Sequence, residues 1–249
     1  MRADLARLEA GKEFAHGAFE TMFKSDIIMQ RKIATLPQGQ KTMIVPISSE
    51  RGLCGGINSG IVREVKYDIN RAANRNDYQI FCIGEKGVSA LIRPFPDLLK
   101  NAISDVSIPL NFASVNAISN QINANAVGCD KVVIYYNQFV SAISTIVRRL
   151  EIMPRERFLA QMNFNKLYDV KPDKHTTNPA IFDFYFSANL YHAYLNNLAS
   201  EQSARMTAME NASKNAKEIV EKLLLQYNKA RQARITMELV EIISGASAV

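Results

Sequence analysis

Residues 180–249 contain no proline and a single glycine, Gly245. Without those breakers nothing in the backbone stops a helix once it has begun. Helices in globular proteins average about 11–12 residues, whereas a helix over this stretch would be roughly 100 Å long. Such a rod cannot fold back into a core of its own size, so it must be a spacer, a shaft or half of a coiled coil. Tryptophan is absent, and cysteine is limited to Cys54, Cys82 and Cys129. Their odd number and wide spacing exclude a disulfide framework and a cysteine metal pair, and fit a reducing compartment. His16, His175 and His192 are scattered and suggest no zinc site. No apolar run reaches the ~20 residues that span a bilayer, so any link to a membrane is expected through partners. The charged start, MRADLARLEAGKEF, lacks the apolar segment of a secretory signal.

The chain has 249 residues, 47% of them hydrophobic, which suffices for one α/β domain plus the long helix. Its formal net charge is +6, yet from residue 180 onward seven Lys/Arg balance seven Asp/Glu. Within that balance Lys222, Lys229, Arg231 and Arg234 occupy a stretch with no acid. Such a run is either a solvated face or a surface for an acidic partner. Nucleic acid is not expected, because the basic residues are too sparse for a DNA-reading helix.

Along the chain, residues 1–23 read as a helix, with Leu5, Leu8, Ala15, Phe19 and Met22 at helical spacing. Pro37 and Gly39 mark a linker. Residues 42–48 (TMIVPIS) form an apolar run suited to a buried strand, in which Pro46 argues for an edge or a strand end. A glycine turn, RGLCGG, leads to an amphipathic helix over 57–73. Strands are predicted at 79–83, within 98–108 and at 131–136, with helices at 85–92 and 113–126 between them. Alternation of this kind predicts a mostly parallel, Rossmann-like sheet covered by helices. Residues 139–153 alternate as a further strand, with a hairpin turn expected at Asn137–Gln138. Residues 163–179 are a polar loop, and Pro179 is placed at the start of the long helix. The segments expected are therefore an N-terminal coiled-coil helix over 1–32, an α/β domain over 41–170 and a shaft helix over 180–249.

The long helix carries a heptad pattern. Leu195, Leu198, Gln202, Arg205, Met209, Ala212, Ala216, Ile219, Leu223, Gln226, Ala230, Ala233, Met237, Val240 and Ser244 alternate three and four apart without a break. Arg205 and two glutamines are poor seam residues, and alanine buries little area at about 25 cal/mol per Å². The seam suits a slim rod with changing neighbours. The helix at 1–23 is too short to cover it, so another chain or a longer N-terminal segment is expected as partner.

Candidate chemistry is sparse. The RGLCGG loop sits where phosphate loops sit, between strand and helix, but has neither the Gly-Lys-Ser/Thr of a P-loop nor the G-x-G-x-x-G spacing. A tight strand-to-helix turn explains its glycines. Cys54 lies near a helix start, where a thiol pKa can fall, with no His or Asp close in sequence to act as base. Met206, Met209 and Met237 read as adaptable packing. These features favour a mechanical or binding protein; the alternatives are a small nucleotide-binding α/β enzyme with a helical tail and a passive coiled-coil tether.

Three blocks carry a resemblance: SEQSARMTAMENASKNA (200–216), YNKARQARITMELVEIISGASA (227–248) and SERGLCGGINSGIV (49–62). In wording and order they resemble the gamma subunit of F-type ATP synthases. The resemblance implies an α/β domain inserted between an N-terminal and a very long C-terminal helix that pair as an antiparallel coiled coil. It implies a central rotor shaft without catalysis or cofactor of its own. Its partners would be the alpha and beta subunits of the catalytic hexamer, the delta and epsilon subunits and the c ring. Arg231 and Gln232 match the pair that touches the beta catch loop. Lys222, Lys229 and Arg234 would face acidic beta loops, and the apolar tip, including Leu239, Val240, Ile242 and Ile243, would turn in an apolar bearing. Members of the family begin some tens of residues earlier, so the expectation is that part of the N-terminal helix is missing. The chloroplast cysteine insertion is absent, which points to the matrix side of the mitochondrial inner membrane or the cytoplasmic face of a bacterial one.

Overall fold

The computed structural model describes Ala6, residues 41–106, 110–141, 144–161, Lys171 and residues 173–247. The N-terminal helix and its pairing with the long helix fall outside the described residues, apart from Ala6. The chain divides into two compact units, Met1–Met206 and Thr207–Val249.

The first unit holds β1 (Thr42–Pro46), α1 (Ile57–Arg71), β2 (Tyr78–Ile83), α2 (Glu85–Leu91), β3 (Leu99–Ile103), α3 (Phe112–Asn125), β4 (Lys131–Phe139), β5 (Thr145–Ile152) and α4 (Arg155–Gln161). The last helix, α5 (Lys174–Ser247), starts in this unit and supplies the second. The sheet order is β3-β2-β1-β4-β5, the first four strands parallel and β5 antiparallel to β4. The mostly parallel α/β sheet read from the sequence is therefore present. Among the described residues no helix is long and apolar enough to cross a membrane.

Alternation along the central strands loads both faces. Met43, Val45 and Ile47 of the β1 region pack with Phe81, Ile83, Val132 and Ile134 beneath α3, α4 and the start of α5. Ile44, Ile80, Cys82, Val133 and Tyr135 face the opposite way, against Ile61, Val62, Val65 and Ile69 of α1 and Leu91 of α2. With both faces covered, the strands need the continuous apolar runs that the sequence shows.

Three details differ from the sequence reading, whereas Pro46 takes the second of the two places expected for it: it ends β1, which is the central strand. Pairing of β1 with β2 stops at Ile44↔Ile80 and returns only as a bridge at Ile47↔Ile83, since Pro46 has no N–H to donate. Next, β4 runs through Asn137 and Gln138 to Phe139, so the hairpin turns later. Asn137 stays in the strand because its backbone N–H and Nδ2 both donate to Asn197 Oδ1 of α5, at 3.2 and 2.9 Å. Then α4 appears where no helix was expected. Finally, α5 starts at Lys174 rather than beside Pro179. Asp173 caps it: the carboxylate accepts the Thr176 N–H at 2.8 Å and the Thr176 hydroxyl at 2.9 Å. Pro179 lies inside the helix and leaves the His175 carbonyl without its usual donor.

Candidate functional site

Two features remain once packing is accounted for: the turn after β1 and the exposed run of α5. The turn is held by its own side chains. Ser49 N–H donates to Asn58 Oδ1 at 3.0 Å, Asn58 Nδ2 donates to Ser49 Oγ at 2.6 Å and contacts Cys54 Sγ at 3.3 Å, and Ser49 Oγ donates to the Arg51 carbonyl at 2.7 Å. Asn58 in the first turn of α1 thus pins the strand end and the glycine loop together. Leu53 and Gly55 adopt left-handed conformations, at φ 63° and 62°, and Leu53 is 74% exposed.

Ser48 extends this staple to β2. Its Oγ lies 2.9 and 3.0 Å from the carbonyls of Ile83 and Gly84, between which its single proton is shared, and accepts the Gly87 N–H at 2.8 Å. The arrangement offers little covalent chemistry. Cys54 is buried against a hydroxyl, an amide and a carbonyl, with no base among those partners. Burial pushes the Cys82 thiol up to about 12, although its hydrogen bond with Ser48 works the other way. Burial likewise raises Cys129. Thiols held in this way are poor nucleophiles. Among the described residues no group of His, Cys, Asp and Glu is set to hold a metal ion.

On α5 every residue from 209 to 247 is exposed, including Lys222, Lys229, Arg231, Gln232, Arg234, Leu239, Val240, Ile242 and Ile243. At about 100° per residue the four cations do not share a face. Lys222 and Lys229, two turns apart, lie on one side; Arg231 and Arg234 lie on the other. The acid-free stretch is also bounded closely, for Arg234 Nε pairs with Glu238 Oε1 at 3.0 Å. At 83% and 58% exposure that pair contributes a few tenths of a kcal/mol at most.

A second apolar group is only partly legible in the sequence, where Ile219 and Leu223 lie on the heptad and Val220, Leu224 and Tyr227 fall off it. Ile219, Val220, Leu223, Leu224 and Tyr227 are each between 55% and 63% exposed and cover a stripe of about 140°. Leu239, Val240, Ile242 and Ile243, between 54% and 68% exposed, lie on nearly the opposite side of the helix. The density of apolar residues in IVEKLLLQY is the signal for the upper stripe. Exposed apolar surface of this extent marks an interaction surface.

Known proteins agree with this architecture. The family profile described as ATP synthase matches residues 1–249. The ATP synthase gamma chain of Fuscovulum blasticum is 37% identical over 224 residues, covering 88% of this chain and 77% of that one. That of Rickettsia akari is 33% identical over 237 residues, covering 92% and 79%. A chain in the central stalk/c-ring structure of the Tetrahymena thermophila mitochondrial ATP synthase is 40% identical, with TM-score 0.75, covering 86% of this chain and 94% of that one. A chain of the Euglena gracilis mitochondrial ATP synthase, at 21% identity and TM-score 0.72, covers 99% of this chain and 92% of its own and agrees in fold. The chain belongs to the family of ATP synthase gamma chains, the rotor-stalk subunits of F-type ATP synthases.

Proposed function

We propose that this chain transmits rotation of a membrane c ring to the catalytic beta subunits and performs no catalysis itself. One observation carries the reading: α5 is a helix of 74 residues whose residues 209–247 are all exposed in the isolated chain. A helix with one packing partner needs one apolar stripe. This one has apolar groups on nearly opposite sides at its two levels and cations on two sides. A shaft enclosed by several subunits calls for that distribution.

In this reading Arg231 and Gln232 meet the catch loop of a beta subunit, while Lys222, Lys229 and Arg234 face acidic loops around the shaft. Leu239, Val240, Ile242 and Ile243 turn in an apolar sleeve, where the lack of directional bonds keeps rotation smooth. The alpha subunits complete the hexamer, and delta and epsilon subunits with the c ring grip the α/β unit. The membrane is reached through the c ring, on the matrix side of a mitochondrial inner membrane or the cytoplasmic face of a bacterial one.

Native electrophoresis after mild-detergent extraction, with in-gel ATP hydrolysis, tests this. The expected result is an ATP-hydrolysing band many times the chain's mass that contains alpha and beta subunits. A lone band near 27.9 kDa, obtained without dissociating conditions, overturns it.

A further inference from the structure

A cavity of about 470 Å³ opens at the carboxyl end of the parallel strands, bounded by the loops after β1 and β3 and by residues 194–205 of α5. Ligands of open α/β sheets settle at this end, and a nucleotide is the first occupant to consider. The local chemistry opposes it. Around the opening the chain uses its own backbone donors: Ser49 N–H goes to Asn58 Oδ1, Glu85 N–H to Glu50 Oε2 at 3.2 Å, Lys86 N–H to the Ser49 carbonyl at 3.1 Å, and Gly87 N–H to Ser48 Oγ. Phosphate would need such donors free.

The lining charges point the same way. Glu50, Asp105 and Glu201 face two guanidiniums, Arg51 and Arg205. Arg205 Nη2 is already paired with Glu201 Oε1 at 2.5 Å, and Glu50 and Asp105 have no ion-pair partner among the described residues. Glu50 Oε1 is buried with no hydrogen-bond donor among the described residues, an unfavourable state for a carboxylate oxygen. The buried Tyr194 hydroxyl is pushed above its ordinary pKa first by burial and then by the fields of Glu50 and Glu201. Both carboxylates therefore act on one part of the cavity wall. Val106, Leu110 and Leu198 supply an apolar side to the same cavity.

We propose that this crevice receives the side chain of a lysine or arginine from a partner subunit, its charge set against Glu50 and Asp105 and its stem against Val106, Leu110 and Leu198. A long aliphatic stem ending in a cation matches a wall that is apolar on one side and acidic on another. The inference rests on the central-stalk reading, which supplies the partner subunits.

The assembled ATP synthase tests it, unaltered and with Glu50→Gln plus Asp105→Asn, replacements that keep size and acceptor atoms while removing charge. A side-chain-resolution map of the unaltered complex should place a lysine or arginine nitrogen within about 4 Å of a Glu50 or Asp105 carboxylate oxygen. The double variant should lose the chain about tenfold faster when the complex is diluted. A crevice filled by an apolar or acidic side chain, by nucleotide or by water alone overturns the proposal, and so does an unchanged rate of loss. A chain that never co-purifies with a complex overturns the central-stalk reading and removes the occupant with it. Co-purification thus separates the two failures.

Discussion

Gly87→Ala should destabilise the α/β unit even though it improves a helix. Gly87 lies within α2 and is buried. Alanine there gains up to about 1 kcal/mol of helix propensity. A Cβ at this position would lie 2.6 Å from Ser48 Oγ, 2.7 Å from Cys82 Sγ and 3.0 Å from Ser48 Cβ. None of these is the free end of a flexible side chain, for Ser48 and Cys82 are themselves buried. Relief requires α2 to move away from the ends of β1 and β2, with overpacking of about 1–3 kcal/mol. That movement also stretches the Gly87 N–H to Ser48 Oγ bond of 2.8 Å, and a buried donor left unpaired costs about 1–3 kcal/mol. The net is a loss of about 2–4 kcal/mol, or a drop of roughly 5–15 °C in melting temperature for a unit of this size. Differential scanning fluorimetry of the purified chain reads it. Gly84→Ala serves as the harsher companion, because its Cβ would meet the Ser48 carbonyl oxygen at 2.3 Å from a backbone at φ +95°. A Gly87→Ala chain that melts at or above the parent temperature refutes the close-approach argument and leaves helix propensity as the dominant effect.

Asn197→Leu should cost about 2–4 kcal/mol in chemical denaturation, since it strands the buried Asn137 N–H and Nδ2 that now share Asn197 Oδ1; a loss below about 1 kcal/mol would show that water or a neighbour serves those donors. Arg231→Glu, tested in the assembled complex, should lower ATP hydrolysis by roughly threefold or more, whereas unchanged turnover would exclude it from the partner surface. The Asp173 carboxyl is held below its ordinary value by the backbone N–H and then the hydroxyl of Thr176. Its capping contribution is therefore present above the free carboxyl value of 3.8 and is lost as pH falls through the lower folded value. The stability gap between the parent and Asp173→Ala should close on acidification, and a gap that stays constant from about pH 7 to about pH 2 would refute the cap.

The sheet was legible because buried parallel strands need runs such as TMIV, QIFCI and KVVIYY, and little else in the chain resembles them. The turn positions were not. Asn137 and Gln138 have turn chemistry when read alone, yet a partner 60 positions later, Asn197, satisfies Asn137 within the strand. Local propensity carries no information about such a partner. Pro179 misled in the same way: a proline near a helix start is the commoner arrangement, but the Asp173 carboxylate fixes the start five residues earlier. Of the nine partner residues expected on α5, the four cations stand out in the acid-free run, while the other five come from resemblance to a family, and of those five only Val240 lies on the heptad that carries Ile219 and Leu223. Val220, Leu224 and Tyr227 were overlooked because they fall off the heptad, which is the reason they need a different neighbour.

Two kinds of physics specify α5 along its length. From Phe182 to Leu198 it is fixed by the sheet: Phe182, Phe186, Leu190 and Ala193 are fully buried in the same cluster as Met43 and Ile134. The leading heptad residues, Leu195 and Leu198, are 3% and 7% exposed and are therefore occupied within the chain. From Met209 to Ser247 no side chain is buried, so among the described residues this stretch is held by helix propensity and i,i+4 pairs such as Arg234–Glu238. Isolated helices held by these terms alone are marginal in water, and exposed Leu223, Leu224 and Leu225 add a pressure toward association. The absence of proline and of all but one glycine removes the alternatives of bending or breaking. What is left is a helix whose second half calls for partners along its length, so the stiffness of the shaft depends on what surrounds it.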